Sequence, residues 1–196
     1  MKKWLPLIVI AVILFGIFRW GVGLNNTMVE KQETARTQWA NVESAYQRRS
    51  DLIPNLVSTV KGYADFEKET LEAVIQARAN ATKTTIDPSN ISPDQMAAFQ
   101  ESQNSLSGAL SKLMVVVERY PDLKANQNFL ELQSQLEGTE NRINVERNRF
   151  NEVAKDYNIY TKKFPASVVA GFLNFEPMAL FQAAAGSEQA PTVDFN

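Results

Sequence analysis

Four polar side chains, Arg49, Gln103, Glu140 and Arg147, fall where the repeating pattern around them calls for apolar residues. Buried charges must be paired and hydrogen-bonded to offset the loss of water, so these groups are expected to meet in one layer. Two roles fit such a layer. It can fix the register of packed helices, as polar groups inside bundles do. It can also form a ligand or proton site, since perturbed ionisable groups gather where function lives. The packing role predicts that Glu140→Gln alters stability; the ligand role predicts a changed response in a domain that stays folded.

Other chemistry is narrowed by two absences, because the 196 residues include neither cysteine nor histidine. Disulfides, thiol catalysis, lipid attachment through cysteine, and the Ser-His-Asp and Cys-His triads are all removed, and carboxylates are the only charged metal ligands left. Helical bundles can hold two metals through Glu-x-x-His pairs, but histidine is missing and Glu140, Glu146 and Glu152 do not share a facing geometry. There is no glycine-rich phosphate loop, nucleophile elbow or aromatic-basic strand. Lys and Arg number 20 against 22 Asp and Glu, so no broad field favours nucleic acid. The expectation is a protein without cofactor or metal and without enzymatic activity.

The elements that must position the polar layer are long helices. Glycine and proline are scarce between Leu24 and Phe164, and apolar residues recur in steps of three and four. One stripe runs Met28, Gln32, Ala35, Trp39, Val42, Tyr46, Arg49, Ile53, Leu56, Val60, Tyr63. A second runs Met96, Phe99, Gln103, Leu106, Leu110, Leu113, Val117, Tyr120. A third runs Phe129, Leu132, Leu136, Glu140, Ile143, Arg147, Phe150, Ala154, Tyr157, with two successive steps of four around Leu136. Leu71, Val74 and Ile75 mark a further helix to about Ala81. Ser92-Pro93-Asp94-Gln95 carries a capping box that starts a helix near Pro93, Pro121-Asp122 stops it, and the next begins by about Gln127. The first helix either breaks at Pro54 or bends there and ends near Gly62, and the second course is favoured. The fold class is all-α: an N-terminal transmembrane helix, then an up-and-down four-helix bundle of long, coiled-coil-like helices.

Before the first stripe stand Lys2, Lys3 and an apolar run from Trp4 to Phe18, followed by Arg19-Trp20-Gly21-Val22-Gly23-Leu24. Residues 4–24 are long enough to span a bilayer, with Arg19 able to snorkel and Trp4 and Trp20 suited to the two interfaces. The competing reading is a cleaved signal peptide, but Arg19-Trp20 is a poor approach to the small-residue site at Gly21-Val22-Gly23. Lys2, Lys3 and the terminal amine stand against Arg19, Lys31 and Arg36, equal in number but with Lys31 and Arg36 farther from the span, and an inside N-terminus with an exported bundle is the favoured reading. Because the first stripe starts about a turn after Leu24, anchor and first helix are expected to be one rod.

From Pro165 the character changes. Val168, Val169, Phe172, Leu173, Phe175, Met178, Leu180 and Phe181 form an apolar cluster interrupted by Gly171 and Pro177. It is either a flap over the open end of the bundle or a surface for another subunit, a protein partner or the bilayer. Residues 1–24 are thus read as a transmembrane signal anchor, 25–164 as the bundle, 165–185 as the apolar segment and 186–196 as a disordered tail.

Several stretches resemble the LemA family: Thr37-Gln38-Trp39-Ala40-Asn41-Val42-Glu43, Gln47 through Val57, Val60-Lys61-Gly62-Tyr63, Val115 through Asn126, and Leu136-Glu137-Gly138-Thr139-Glu140-Asn141-Arg142-Ile143. Phe164-Pro165 and Gly171-Phe172 match its C-terminal pattern. The resemblance implies a bacterial single-pass protein of the cell's inner membrane with a helical bundle, and supplies no catalytic residues. Within the family motif, Gly138 is expected to let another element approach closely. The combined expectation is a homo-oligomer or scaffold for a membrane or envelope complex, anchored in the bilayer by residues 4–24, with any protein partner unknown and no nucleic acid bound. The alternative is a stress- or ligand-responsive receptor or adaptor signalling through the bundle.

Overall fold

The structure, a computed structural model, describes residues 4–62, 67–88 and 91–182. Those residues form six helices and no strand: α1 (Leu5–Lys61), α2 (Lys68–Lys83), α3 (Pro93–Val117), α4 (Pro121–Lys124), α5 (Gln127–Lys162) and α6 (Ala166–Phe172). The expected stripe position at Tyr63 and the tail 186–196 lie outside the described residues.

Anchor and first bundle helix are one element of 57 residues, about 85 Å long at 1.5 Å per residue. Large apolar side chains from Leu7 to Trp20 are exposed along it, and burial begins with Met28. The stripe read from the sequence matches the buried face closely: Ala35, Trp39, Val42, Tyr46, Arg49, Ile53, Leu56 and Val60 are all buried. Pro54 does not break this helix. A proline lacks the N–H that would satisfy the carbonyl four residues earlier, and here the Arg78 Nε of α2 donates to that carbonyl, Ser50 O, at 2.8 Å. The neighbouring helix replaces the hydrogen bond that Pro54 removes.

Local signals start the later helices where the sequence places them. Ser92 Oγ accepts from the Gln95 amide at 3.3 Å, and Gln95 Oε1 accepts from the Ser92 amide at 3.3 Å, so the capping box is complete at the head of α3. Asn126 Oδ1 accepts from the Phe129 amide at 3.1 Å and caps α5. Pro121-Asp122 ends α3 as expected, but the link to α5 is itself the one-turn helix α4, whose Leu123 is buried.

Helix directions follow from named pairs. Lys31 with Asp156, Gln38 with Glu146 and Arg49 with Glu140 make α1 and α5 antiparallel. Gln103 with Ala81 and Arg119 with Glu67 do the same for α2 and α3. The shorter pair covers only the half of the α1–α5 hairpin farther from the anchor. There, Ile53 to Val60 of α1, Leu71 to Ala81 of α2, Leu106 to Val117 of α3, and Phe129 and Leu136 of α5 form one apolar cluster. In the half nearer the anchor, Ala35 to Tyr46 and Ile143 to Tyr157 are covered by Ile86, Ile91, Met96, Phe99 and the C-terminal Met178 and Phe181. Part of the apolar C-terminal segment is thus built into the core. Helices of 16 and 25 residues cannot cover a 36-residue α5 from end to end, so part of the tail takes the vacant place.

Three details differ from the sequence reading. On α5 the buried face runs Leu136, Thr139, Ile143, Glu146, Phe150, so Thr139 and Glu146 occupy the positions assigned to Glu140 and Arg147. A step of three after Leu136 keeps the 3.6-residue period that two steps of four would overrun. On α2, Ala77 and Ala81 join Leu71 and Val74 on the buried face, and Ile75 is exposed. Gly138 is exposed, and a side chain there would meet nothing within 4 Å, so it makes no close approach to another described element.

Candidate functional site

Of the four polar residues, Arg49, Gln103 and Glu140 are brought together, with Arg49 at the centre. Its guanidinium is 3% exposed and lies between the two apolar clusters. Nη1 donates to Glu140 Oε2 at 2.7 Å and to Ser107 Oγ at 2.8 Å; Nη2 donates to Gln103 Oε1 at 2.8 Å and to Gln103 O at 3.3 Å. Gln103 Nε2 then donates to Ala81 O at 3.3 Å, satisfying a carbonyl in the last turn of α2 that has no partner within its own helix. One cation thereby ties α1, α2, α3 and α5 at a single level. The Glu140 carboxylate is 45% exposed, so the pair reaches from the core to solvent.

Arg147 is not a member of this direct network. Its guanidinium lies over the Phe181 ring, 4.7 Å from the centroid, and Nη2 donates to Gln182 O at 3.4 Å. It does share Tyr46 with the layer: burial raises the Tyr46 phenol above its ordinary value, while the charges of Arg147 and Arg49 pull it down. Arg49 also stacks on that ring at 5.2 Å.

A group the sequence reading placed on no stripe is Glu146, 1% exposed on α5. Gln38 Nε2 donates to its Oε2 at 2.7 Å, while Arg142 at 2.6 Å and Arg149 at 3.3 Å hold Oε1. The hydrogen bond from Gln38 lowers its pKa most, burial opposes this, and the two arginine charges lower it further. Arginines one turn before and one turn after Glu146 were the legible signal. A depressed folded value means that Glu146 stabilises the fold above about pH 4.5 and loses that contribution as pH falls through the folded value. Glu146→Gln should therefore lower the melting temperature at neutral pH, with the deficit shrinking on acidification below 4.5. Thermal melts of both proteins across that range provide the check, and a constant deficit would contradict the assignment.

The apolar C-terminal residues divide into two sets. Met178 and Phe181 are buried and Phe175 and Leu180 partly so, and these four belong to the core. Side-chain amides hold this extended segment by its backbone. Asn158 donates to Met178 O and accepts from Met178 N, both at 2.8 Å; Asn151 binds Phe181 in the same way at 3.0 and 2.9 Å; Gln100 binds Gln182 at 3.0 and 3.4 Å. Val168, Phe172 and Leu173 of the second set are exposed, and Val169 is half-buried.

Among the described residues no group of three acidic side chains is placed to hold a metal. An open groove of about 250 Å³ lies between α1 and α5, lined by Thr27, Glu30, Lys31, Thr34, Val153 and Asp156. The buried polar groups Arg49 and Glu146 are each paired with side chains of a neighbouring helix.

These features define an all-helical protein whose first helix is long and apolar enough to cross a membrane and continues into the helical core. By the match of the LemA family model to residues 38–195, the chain belongs to the LemA family. It is 27% identical to Protein LemA of Metamycoplasma hominis over 173 residues, covering 88% of this chain and 75% of that protein. It is 25% identical to Magnetosome protein MamQ 2 of Paramagnetospirillum magneticum and 24% identical to Magnetosome protein MamQ of Magnetospirillum gryphiswaldense, in both cases over 80% of this chain. The matches span 64% of each magnetosome protein's length.

Proposed function

We propose that this chain is a non-enzymatic, membrane-anchored scaffold that self-associates in the bacterial inner membrane. In this reading residues 1–24 are the anchor with its start in the cytoplasm, and residues 25–164 form an up-and-down four-helix bundle on the exported side. The observation that carries the proposal is the unbroken run of α1 from the apolar segment into the core. A helix shared by span and core passes any tilt of one directly to the other, as suits a part that sets geometry in an assembly. The two magnetosome proteins among the relatives support this, being named for a structure and not for a reaction.

The test is the mass and shape of the full-length protein in lipid nanodiscs formed directly from membranes. A defined homo-oligomer is expected, and a protein that is monomeric and partner-free at every loading would overturn the proposal. Deleting the C-terminal segment is a poor test because Met178 and Phe181 lie in the core. A receptor or adaptor is the second reading, favoured by the half-open Arg49–Glu140 pair. It requires Glu140→Gln to abolish a cellular response while leaving the fold intact.

A further inference from the structure

The exposed half of the C-terminal cluster lies at the anchor end of the core. Lys31 meets Asp156 at 4.0 Å and stands over the Tyr160 ring, so the antiparallel α5 ends at Lys162 within about one helical turn of the level of Leu24. The chain then forms α6 against both α1 and α5. It turns through Asn174 (φ 56°) and is back beside Tyr157 at Glu176, whose carbonyl accepts from the tyrosine hydroxyl at 2.9 Å. Thus α6 lies on the anchor side of Tyr157. Along α1, the preceding side chains are exposed, whereas Gly21, Val22, Leu24 and Asn25 are half-buried.

Val168 and Phe172 on this short element and Phe164 just before it are 64%, 87% and 83% exposed; Leu173 adds to the patch. Apolar side chains exposed farther from the anchor, such as Ile75, Val115, Leu130 and Val145, stand singly. Lys162 and Lys163 flank the patch and are exposed, and Arg19 lies on the anchor about a turn below its end. Asp156, engaged by Lys31, Glu30 in the same groove, and Glu176 are acidic groups nearby. An apolar ridge edged by cations, level with the end of a spanning helix, is what an interfacial segment presents to a bilayer.

We propose that α6 with Phe164 is a membrane foot, its phenylalanines seated at the lipid interface beside the anchor and Lys162 and Lys163 on anionic headgroups. This rests on the reading of α1 as the span. The foot gives the core a second point of contact, so its angle to the membrane is fixed and not merely tethered.

The chain has no native cysteine, so single cysteines can carry an environment-sensitive fluorophore. Phe172→Cys and, separately, Val168→Cys are introduced into the full-length protein and reconstituted in phosphatidylcholine–phosphatidylglycerol vesicles. Phe15→Cys reports on the anchor and Val115→Cys on the distant end of the core. Labels at 172 and 168 should shift to the blue, resist aqueous iodide and be quenched by phospholipid with a nitroxide near its headgroup, while the label at 115 stays open to iodide. Iodide quenching at 172 and 168 with a lipid-quenched label at 15 overturns the foot alone. Protection from both quenchers means that a second copy or partner covers α6, which also overturns it. A label at 15 open to iodide removes the anchor and the foot together.

Discussion

Trp39→Ala lowers the unfolding free energy of the full-length protein by about 3–5 kcal/mol, the range for truncating a fully buried large aromatic. Trp39 is 0% exposed, and its ring contacts elements that join the core from three parts of the chain. Phe99 of α3 and Phe150 of α5 meet it edge-on at 5.4 and 5.2 Å, and Phe181 of the tail stacks on it at 5.7 Å. The truncation leaves a cavity where no single element can collapse to fill it. It should also loosen the C-terminal segment, so limited proteolysis near Phe181 should accelerate in step with the loss of stability. Trp39→Phe should cost clearly less, because the indole Nε1 is buried without a partner and its removal releases an unsatisfied donor. Denaturant unfolding in nanodiscs provides the measurement. A loss below about 1 kcal/mol for the alanine variant would mean that the core near the anchor does not depend on this residue.

Arg49→Ala has the second large effect, about 3–5 kcal/mol, because it removes a buried stem and breaks the pairing that holds the layer together. Gln103 Oε1 and Ser107 lose their donor inside the core, and four helices lose their common tie. Glu140→Gln should cost only about 1–3 kcal/mol, since an acceptor remains for Arg49 and the position is half-open to water. A double-mutant cycle between the two residues, read by denaturant unfolding, should return a favourable coupling of about 0.5–3 kcal/mol. No measurable coupling would show that the pair seen at 2.7 Å adds nothing to stability.

Much of this fold was legible in the sequence, and the reasons are local. The α1 stripe could be read residue by residue because every step from Ala35 to Val60 is three or four and each lands on a residue that is buried. Capping groups at Ser92 and Asn126 mark their helix starts through their own side chains. The course of α1 through Pro54 was readable, but its support was not. Arg78 lies 24 residues farther on, and only the return of α2 brings it to Ser50 O.

The polar layer shows the same limit. Arg49 and Gln103 were found because each breaks an apolar pattern on a buried face, whereas Glu140 entered through the α5 stripe in place of the buried Thr139. Arg147 was grouped with them by counting along α5, where a slip of one residue exchanged it for Glu146. The division of the C-terminal cluster depends on helix lengths compared across the molecule. Phe172 and Phe181 look alike in sequence, but one is 87% exposed and the other 7%. What separates them is the gap left by the short α2–α3 pair.

That gap has a consequence for how the protein is made. Synthesis runs from the N-terminus, and domains generally fold as their parts emerge. The anchor can enter the bilayer first, and the distant apolar cluster can close once Leu136 has appeared. Trp39, Phe99 and Phe150, in contrast, have no lid until Met178 and Phe181 follow all six helices out of the ribosome. In that order of emergence an aromatic pocket stays open between the closing of the two clusters. The stretch that carries Met178 and Phe181 shuts it.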